Sequence, residues 1–310
     1  MRKTRHFTRR TLLAGMAATG MAAPLLPAAA RGQPGGFISR KIPSSGEMLP
    51  AIGLGSWITF NVGNDPVGRA ASLAVMEDFF RLGGRMIDCS PMYGSSQAVI
   101  GEGLARLNTR DRVFSAEKVW TSSGRSGPGQ IEQTRRFWGV DRFDLLQVHN
   151  LLAWEAHLDT LRAMKAEGRL RYIGITTSEG RRHREFEQVM RAVPLDFIQV
   201  SYNILDREVE QRILPLARDR GIAVIVNRPF RQGDLIRAVE RRPLPAWAAE
   251  INAANWAQVL LKFILAHPDV TCVIPATSRV EHLRENMGAG HGTLPDAALR
   301  RRMIADIETL

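Results

Sequence analysis

The sequence predicts an α/β fold of the (β/α)8 barrel class, built as a single domain. Eight short apolar runs alternate along the chain with longer segments whose apolar residues recur at helical spacing. Many of the longer segments end at a glycine, such as Gly83, Gly168 or Gly221, and glycine commonly follows the last residue of a helix. Eight strand–helix units in a chain of this length are typical of a barrel.

The eight apolar runs are the predicted strands, because they are short and lie between the helical segments. They occupy residues 51–55, 85–89, 113–119, 143–149, 171–176, 197–202, 222–227 and 270–275. Helical patterns between them include residues 67–83, 154–168 and 255–267. A doubly wound sheet is the structural alternative. It would favour GxGxxG after the first strand, but GLGSWI at 53–58 lacks the third glycine and precedes no clear helix.

Residues 1–30 are predicted to be a signal peptide, which leaves residues 31–310 as the barrel domain. The first ten residues carry five basic side chains and no acid, residues 11–30 are small and apolar, and residues 28–30 fit a small-residue cleavage site. Arg9 and Arg10 stand directly before the apolar stretch, as in the signals that the twin-arginine (Tat) machinery reads to export folded proteins. We therefore expect a periplasmic or otherwise exported protein.

Charge and cysteine content argue against several other classes of function. The formal net charge is +11, and removing the five basic residues of the predicted signal leaves +6, spread over many helices. A nucleic-acid surface is therefore not expected. No later segment has 18 uninterrupted apolar residues, so we expect no stable membrane insertion of the mature chain. Cys89 and Cys272 belong to no metal-binding motif. A disulfide between them is an alternative if the protein is in an oxidising compartment.

Polar residues at the ends of the predicted strands form the candidate active site. Asp88 and Tyr93 follow the second strand, Lys118 ends the third, His149 ends the fourth, and Gln199 lies in the sixth. The carboxyl ends of barrel strands converge on one mouth, where catalytic groups are normally found. A tyrosine with a pKa near 10 is an inefficient acid at neutral pH unless a nearby cation favours its phenolate, and Lys118 is the candidate cation.

Asp88 is expected to keep the ammonium of Lys118 charged and oriented. A neutral His149 then holds a substrate carbonyl oxygen near the phenol of Tyr93.

These motifs resemble the aldo-keto reductase family along essentially the whole mature chain. The matching segments are GEMLPAIGLGSW (46–57), IDCSPMYGSS (87–96), GEGL (101–104), SAEKVW (115–120), DLLQVHN (144–150), IGITTS (173–178), IQVSYN (198–203) and IPATSRVEHLRENM (274–287). The resemblance implies a TIM barrel and a catalytic tetrad of Asp88, Tyr93, Lys118 and His149. It also implies a nicotinamide cofactor, usually NADPH, that passes hydride to a carbonyl carbon.

The resemblance maps the cofactor site with several departures from the family pattern. Thr176 and Thr177 replace a Ser-Asn pair, residues 227–230 (Asn-Arg-Pro-Phe) replace a stacking Tyr and its Ser-Pro-Leu loop, and Ala276 replaces a common 2′-phosphate lysine. Arg279, near a helix start, is the residue expected to bind that phosphate. The residues expected at the cofactor are Gly55, Ser56, Asp88, Thr176, Thr177, Gln199, Asn227, Arg228, Pro229, Phe230, Thr277, Ser278, Arg279, Glu285 and Asn286. NADP is the favoured cofactor, and NAD is the alternative.

The substrate is expected to be a small carbonyl compound in an open pocket lined by Trp57, Tyr93, Trp120 and His149, because no long C-terminal tail shapes the mouth. A reductase of aldehydes or ketones is the favoured function. The alternatives are a nicotinamide-binding sensor or accessory subunit, and a carbonyl-binding protein without nicotinamide. An exported reductase would also need a redox partner, because no supply of reduced nicotinamide is obvious outside the cytoplasm.

Overall fold

Eight parallel strands form the wall of a barrel in the computed structural model, which describes residues 36–309 of the chain. An antiparallel hairpin of β1 (Ser39–Lys41) and β2 (Met48–Pro50) precedes them. The barrel strands are β3 (Leu54–Gly55), β4 (Met86–Asp88), β5 (Phe114–Val119), β6 (Phe143–Val148), β7 (Leu170–Thr176), β8 (Phe197–Ser201), β9 (Ala223–Asn227) and β10 (Cys272–Val273). Each corresponds to one predicted strand, and the predicted barrel is confirmed.

Helices on the outside connect each strand to the next, and the last two helices follow the final strand. The helices are α1 (Pro66–Arg81), α2 (Ser96–Leu107), α3 (Gly127–Trp138), α4 (Trp154–Ala166), α5 (His183–Ala192), α6 (Ile213–Asp219), α7 (Asp234–Val239), α8 (Trp256–Leu265), α9 (Val280–Gly288) and α10 (Ala297–Glu308). Every strand from β3 to β9 pairs with the strand that follows it in the chain. Two neighbouring parallel strands need a long connection that returns the chain to the same end of the sheet, and here that connection is a helix. A tight turn would make the second strand antiparallel.

The first and last strands close the barrel where β3 meets β10. The backbone N–H of Gly53 donates to the carbonyl of Val273 over 2.9 Å, and that of Gly55 donates to Pro275 over 3.0 Å. A Cβ atom at Gly55 would lie only 2.8 Å from the carbonyl oxygen of Ile274. The glycines in the predicted first strand therefore allow this close backbone approach between β3 and β10.

The alternation of side chains along each strand separates the interior of the barrel from the layer under the helices. In β5, Phe114 and Ala116 belong to a buried cluster with residues of the other barrel strands, while Val119 packs in the larger cluster that includes the helices. Lys118 follows Ala116 two residues later and so continues the interior face toward the carboxyl end of the strand. Asp88 follows Met86, and Gln199 follows Phe197, in the same way.

Helix ends follow the signals in the sequence. Gly83, Gly168 and Gly221 adopt positive φ angles of 89°, 74° and 63°, which side chains with a Cβ rarely adopt, so the predicted helix ends are confirmed. Asp65 caps α1 by accepting the backbone N–H groups of Val67 and Gly68.

The region of the predicted signal peptide, residues 1–30, lies outside the described residues. Within residues 36–309, no helix is both long enough and apolar enough to cross a membrane. Cys89 and Cys272 are both buried free thiols, so the disulfide considered from the sequence is not formed.

The contact between α2 and α3 depends on the missing side chain of Gly101. A Cβ atom there would lie 1.8 Å from the carbonyl oxygen of Phe137. We expect Gly101→Ala to lower the free energy of unfolding by about 1–3 kcal/mol, because the two helices must move apart. Chemical denaturation followed by circular dichroism measures this change.

Gly129 in α3 is the matched control, because a Cβ atom at that position meets no other atom within 4 Å. Gly129→Ala removes the same backbone freedom from the unfolded chain and should stabilise the protein by about 0.4–1 kcal/mol. Equal effects of the two substitutions would contradict a steric role for Gly101.

Candidate active site

A buried ion pair between Asp88 and Lys118 lies at the carboxyl ends of β4 and β5. The Nζ atom of Lys118 lies 2.7 Å from Oδ1 and 2.6 Å from Oδ2 of Asp88, and it also donates to the backbone carbonyl of Cys89 over 2.7 Å. Both side chains are almost fully buried. These three acceptors account for the three N–H groups of the ammonium, so Lys118 acts on its other neighbours through its charge.

Two further side chains fix the position of Asp88. The amide nitrogen of Gln199 donates to Oδ1 over 2.7 Å, and the hydroxyl of Ser56 donates to the backbone carbonyl of Asp88 over 2.7 Å. Burial lowers the pKa of Lys118, but the charges of Asp88, Tyr93 and Glu117 and the hydrogen bond to Asp88 together outweigh this effect and raise the pKa above its ordinary value. The ammonium is therefore protonated at any physiological pH.

Tyr93 stands above this ion pair at the end of a 3₁₀ turn, Pro91–Tyr93, that begins just after β4. Its ring centroid is 5.3 Å from Nζ of Lys118. Burial raises the pKa of Tyr93, and the charge of Lys118 lowers it by less, so the net shift is upward. The charge of Lys118 acts in the predicted direction, because it favours the phenolate, but desolvation of the hydroxyl outweighs the cation. The phenol stays protonated at neutral pH, which is the state that a proton donor requires.

His149 lies beside Tyr93, and the two rings meet edge to face with their centroids 5.9 Å apart. Burial, together with the positive charges of Lys118 and Arg181, lowers the pKa of His149 to about 3. The imidazole is therefore neutral, as the sequence analysis expects. Its Nδ1 atom lies 2.8 Å from the hydroxyl of Ser90, a residue that the sequence analysis does not select.

The residues expected at the carboxamide of the cofactor form one network across β7, β8 and β9. The amide of Asn227 donates to the backbone carbonyl of Thr177 over 3.1 Å and approaches Oε1 of Gln199 at 3.4 Å. Thr176 accepts the backbone N–H of Asn150 over 3.0 Å. The hydroxyl of Ser201, absent from the sequence prediction, donates to Oδ1 of Asn227 over 2.6 Å. Amides and hydroxyls therefore line this part of the site, and Gln199 links them to the carboxylate of Asp88.

The segment after β9 is held by contacts that the sequence analysis does not foresee. Arg228 forms an ion pair with Glu179 over 2.9 Å, which links the loops after β9 and β7. Pro229 is buried, and Phe230 is partly buried against the core. The ring of Phe230 therefore packs against the core and helps to hold this loop in place.

The residues expected at the adenine end lie around the start of α9. Arg279 is the residue before the helix, with an exposed side chain whose one ion pair, to Glu281, spans 3.7 Å. Its backbone N–H donates to the hydroxyl of Thr277 over 3.0 Å. Ser278 is exposed and Asn286 is buried, while Glu285 is partly buried. The guanidinium of Arg279 therefore lies at the surface beside Glu281, at the start of α9.

The expected substrate-pocket residues divide between the mouth and a neighbouring cleft. Trp57 is partly buried in the loop after β3. Trp120, after β5, is 39% exposed and lines a cleft of about 530 Å³ together with Pro91, Phe137 and Leu152. Tyr93 and His149 are not part of the lining of this cleft, so Trp120 borders the mouth from outside.

Glu117 is a second buried acid beside Lys118 that the sequence analysis misses. It points away from the barrel interior and accepts hydrogen bonds from the amide of Gln97 over 3.0 Å, the indole of Trp138 over 2.8 Å and the backbone of Lys118 over 2.8 Å. Burial raises its pKa to about 7. Its position in the strand, next to a lysine and one residue out of phase with the interior face, is the signal that could have identified it.

No group of three or more His, Cys, Asp or Glu side chains within residues 36–309 is placed to hold a metal ion.

Comparison with known proteins agrees with this geometry. The aldo/keto reductase family pattern matches residues 51–304. The NADH-specific methylglyoxal reductase of Escherichia coli is 26% identical over 87% of this chain and 99% of its own length. The aldo-keto reductase yakc [NADP(+)] of Schizosaccharomyces pombe is 26% identical over 84% of this chain and 89% of its own.

Two solved structures share the fold. An aldo-keto reductase from Bacillus halodurans in its holo form superposes with a TM-score of 0.72 at 23% identity, covering 88% of this chain and 96% of its own. A Klebsiella pneumoniae aldo/keto reductase in complex with NADP and acetate has a TM-score of 0.70 at 24% identity, covering 84% and 93%. Because the family pattern spans most of the chain, this protein belongs to the aldo/keto reductase family and is an oxidoreductase acting on the couple between a carbonyl group and its alcohol.

Proposed function

We propose that the protein reduces aldehydes or ketones to alcohols with NADPH, and that Tyr93 is the general acid. The observation that carries this proposal is the arrangement of one protonated phenol, one neutral imidazole and one buried ammonium at a single barrel mouth. A site of this kind can bind a carbonyl oxygen, donate a proton to it and stabilise the negative charge that develops there.

The chemical groups around the mouth fit a nicotinamide dinucleotide. Gln199, Asn227 and Thr177 offer the amide and hydroxyl groups that bind a carboxamide, while Arg228 and Arg279 offer guanidinium groups of the type that binds phosphates. The NADP of the Klebsiella structure supports NADPH as the cofactor, and the NADH-specific name of the Escherichia coli relative keeps NADH as a second possibility. When bound, the reduced nicotinamide supplies hydride to the carbonyl carbon.

The side chains of this chain then have separate tasks. His149 is neutral and donates an N–H to the carbonyl oxygen, which orients the substrate beside Tyr93. As negative charge develops on that oxygen, the phenol of Tyr93 donates its proton, because an alkoxide is a much stronger base than a phenolate. The charge of Lys118 stabilises the resulting phenolate, and Asp88 keeps Lys118 in place.

The proton donor can be tested by removing one hydroxyl. Tyr93→Phe keeps the ring and should leave cofactor affinity nearly unchanged while turnover falls by at least about a hundredfold. Lys118→Met should do similar damage, and the double variant should lose little more than either single variant, because the two residues act as one unit. The measurement is single-turnover oxidation of bound NADPH by a reactive aldehyde.

Tyr172→Phe is the matched control, since its hydroxyl contacts Ser45 and Glu47 at the opposite end of the barrel. Lys118→Met leaves Asp88 buried without its cation, so thermal unfolding must confirm that this variant is folded at the assay temperature. Equal rates in wild type and Tyr93→Phe would remove Tyr93 as the acid. Tight NADPH binding without oxidation by any carbonyl compound would favour the sensor or accessory subunit instead.

Arg279 is proposed to select NADPH over NADH through the 2′-phosphate. Its charge-assisted contacts would be worth roughly 1.5–3 kcal/mol, or about one to two orders of magnitude in affinity. Arg279→Ala should therefore weaken NADPH binding by that factor and leave NADH binding nearly unchanged, as measured by fluorescence titration. Arg284→Ala is the control, because it removes the same charge five residues further along, inside α9, where Arg284 binds Asp78. Equal weakening of both nucleotides by Arg279→Ala would contradict the assignment.

Export by the twin-arginine pathway is proposed from residues 1–30 alone. A route for folded proteins would carry the enzyme with its cofactor bound, and a redox partner would then have to reduce the cofactor again. Arg9→Lys combined with Arg10→Lys should leave the precursor in the cytoplasm, because only the arginine pair changes and the charge does not. Cell fractionation and N-terminal sequencing, with mature protein expected to begin near Arg31, provide the measurement.

Arg2→Lys combined with Arg5→Lys is the control for export, since it alters two arginines outside the pair. An unchanged exported yield in the Arg9 and Arg10 variant would contradict the twin-arginine assignment.

A further inference from the structure

The hydroxyl of Ser90 joins the turn that carries Tyr93 to the ring of His149. Ser90 is fully buried, and its Oγ atom lies 2.8 Å from Nδ1 of His149. The same Oγ atom accepts the backbone N–H of Met92 over 3.2 Å. The backbone carbonyl of Ser90 accepts the N–H of Tyr93 over 2.9 Å. One residue therefore contacts both the proposed proton donor and the residue proposed to orient the substrate.

The hydrogen atoms in this contact can be assigned by counting donors and acceptors. A serine hydroxyl has one hydrogen and two acceptor positions, and the N–H of Met92 uses one of the acceptors. Within residues 36–309, Nδ1 of His149 is the one acceptor found for the hydroxyl hydrogen. If Nδ1 carried the proton and donated it to Ser90, the buried hydroxyl hydrogen would have no partner, which is unfavourable. The favoured arrangement is therefore donation from Ser90 to an unprotonated Nδ1.

A neutral imidazole carries one proton, so an unprotonated Nδ1 requires an N–H at Nε2. Within residues 36–309, the ring of His149 forms its hydrogen bond through Nδ1, and Nε2 is not among the buried unpaired side-chain atoms. It is therefore the ring nitrogen left to meet a substrate oxygen.

We propose that Ser90 is a positioning residue that holds His149 as the Nε2–H tautomer and fixes the orientation of its ring, so that Nε2–H can donate to the substrate carbonyl oxygen. The role of that N–H in turnover rests on the proposed reductase function, whereas the tautomer itself does not. Ser90 acts through His149 and does not touch the reacting atoms. Because Ser90 also belongs to the turn that ends at Tyr93, it sets the spacing between the two rings.

The tautomer can be measured without any assay of activity. Nitrogen NMR of protein labelled with ¹⁵N-histidine distinguishes protonated from unprotonated ring nitrogens, and the signals of His149 are those lost in His149→Asn. We expect wild type to show a protonated Nε2 and an unprotonated Nδ1 at neutral pH. In Ser90→Ala, the Nδ1 signal should shift because it loses its donor. A proton on Nδ1 in wild type, or an unchanged Nδ1 signal in Ser90→Ala, would overturn the proposal.

Kinetics then test whether this contact matters for turnover. Losing one buried hydrogen bond that orients His149 should lower kcat/KM for a carbonyl substrate roughly two- to tenfold, mostly through kcat, with unchanged affinity for NADPH. Ser90→Thr keeps a hydroxyl and should restore both the Nδ1 signal and most of the rate. Ser115→Ala is the matched control, because it removes another buried hydroxyl, bound to Asp144 at the amino end of β5.

Equal kcat/KM in wild type and Ser90→Ala would overturn the positioning role. Equal losses in Ser90→Ala and Ser115→Ala would also overturn it, since that result indicates only a general loss of packing. If wild type reduces no carbonyl compound, the reductase proposal fails, and the NMR result still decides the tautomer.

Discussion

The arrangement of the site depends on the buried ion pair between Lys118 and Asp88. Burying two charges is unfavourable unless each is fully paired and hydrogen-bonded. Here the ammonium has three acceptors, and the carboxylate also receives the amide of Gln199. The backbone of Asp88 is held in turn by Ser56. A cation fixed in this way supplies a constant positive charge near Tyr93 without occupying the space where a substrate must bind.

The barrel is what makes this pairing available. Asp88 is 30 residues from Lys118 and 111 residues from Gln199 in the chain, yet each follows an apolar residue of the barrel interior by two positions in its strand. In a closed barrel, the interior side chains at the carboxyl ends of all eight strands lie at one mouth. Residues that are far apart in the chain therefore become neighbours there. The apolar side chains below them exclude water from the site. The same exclusion makes the Lys118 charge effective over the distance to Tyr93.

Burial also sets the protonation state of each group at the mouth. It keeps His149 neutral and Tyr93 protonated, and both effects exceed those of the neighbouring charges. A neutral ring can hold its proton on either nitrogen, so a hydrogen bond from a second residue has to make the choice. Ser90 is in a position to do this, because the chain turns sharply between Asp88 and Tyr93 and brings its hydroxyl within 2.8 Å of Nδ1 of His149.

The sequence predicts the strands, the helix ends and four candidate catalytic residues, because the signals for them are local periodicity, glycine and polar groups at strand ends. The structure brings these four residues together at one mouth. The sequence could not decide the net direction of the Tyr93 pKa shift, since desolvation depends on how many distant residues surround the hydroxyl. It also missed Ser90 and Glu117, whose partners come from other strands and helices. The pairing of Arg228 with Glu179 and the packing of Phe230 likewise follow from how loops after different strands meet. Such contacts are fixed only when the closed barrel sets the distances between them.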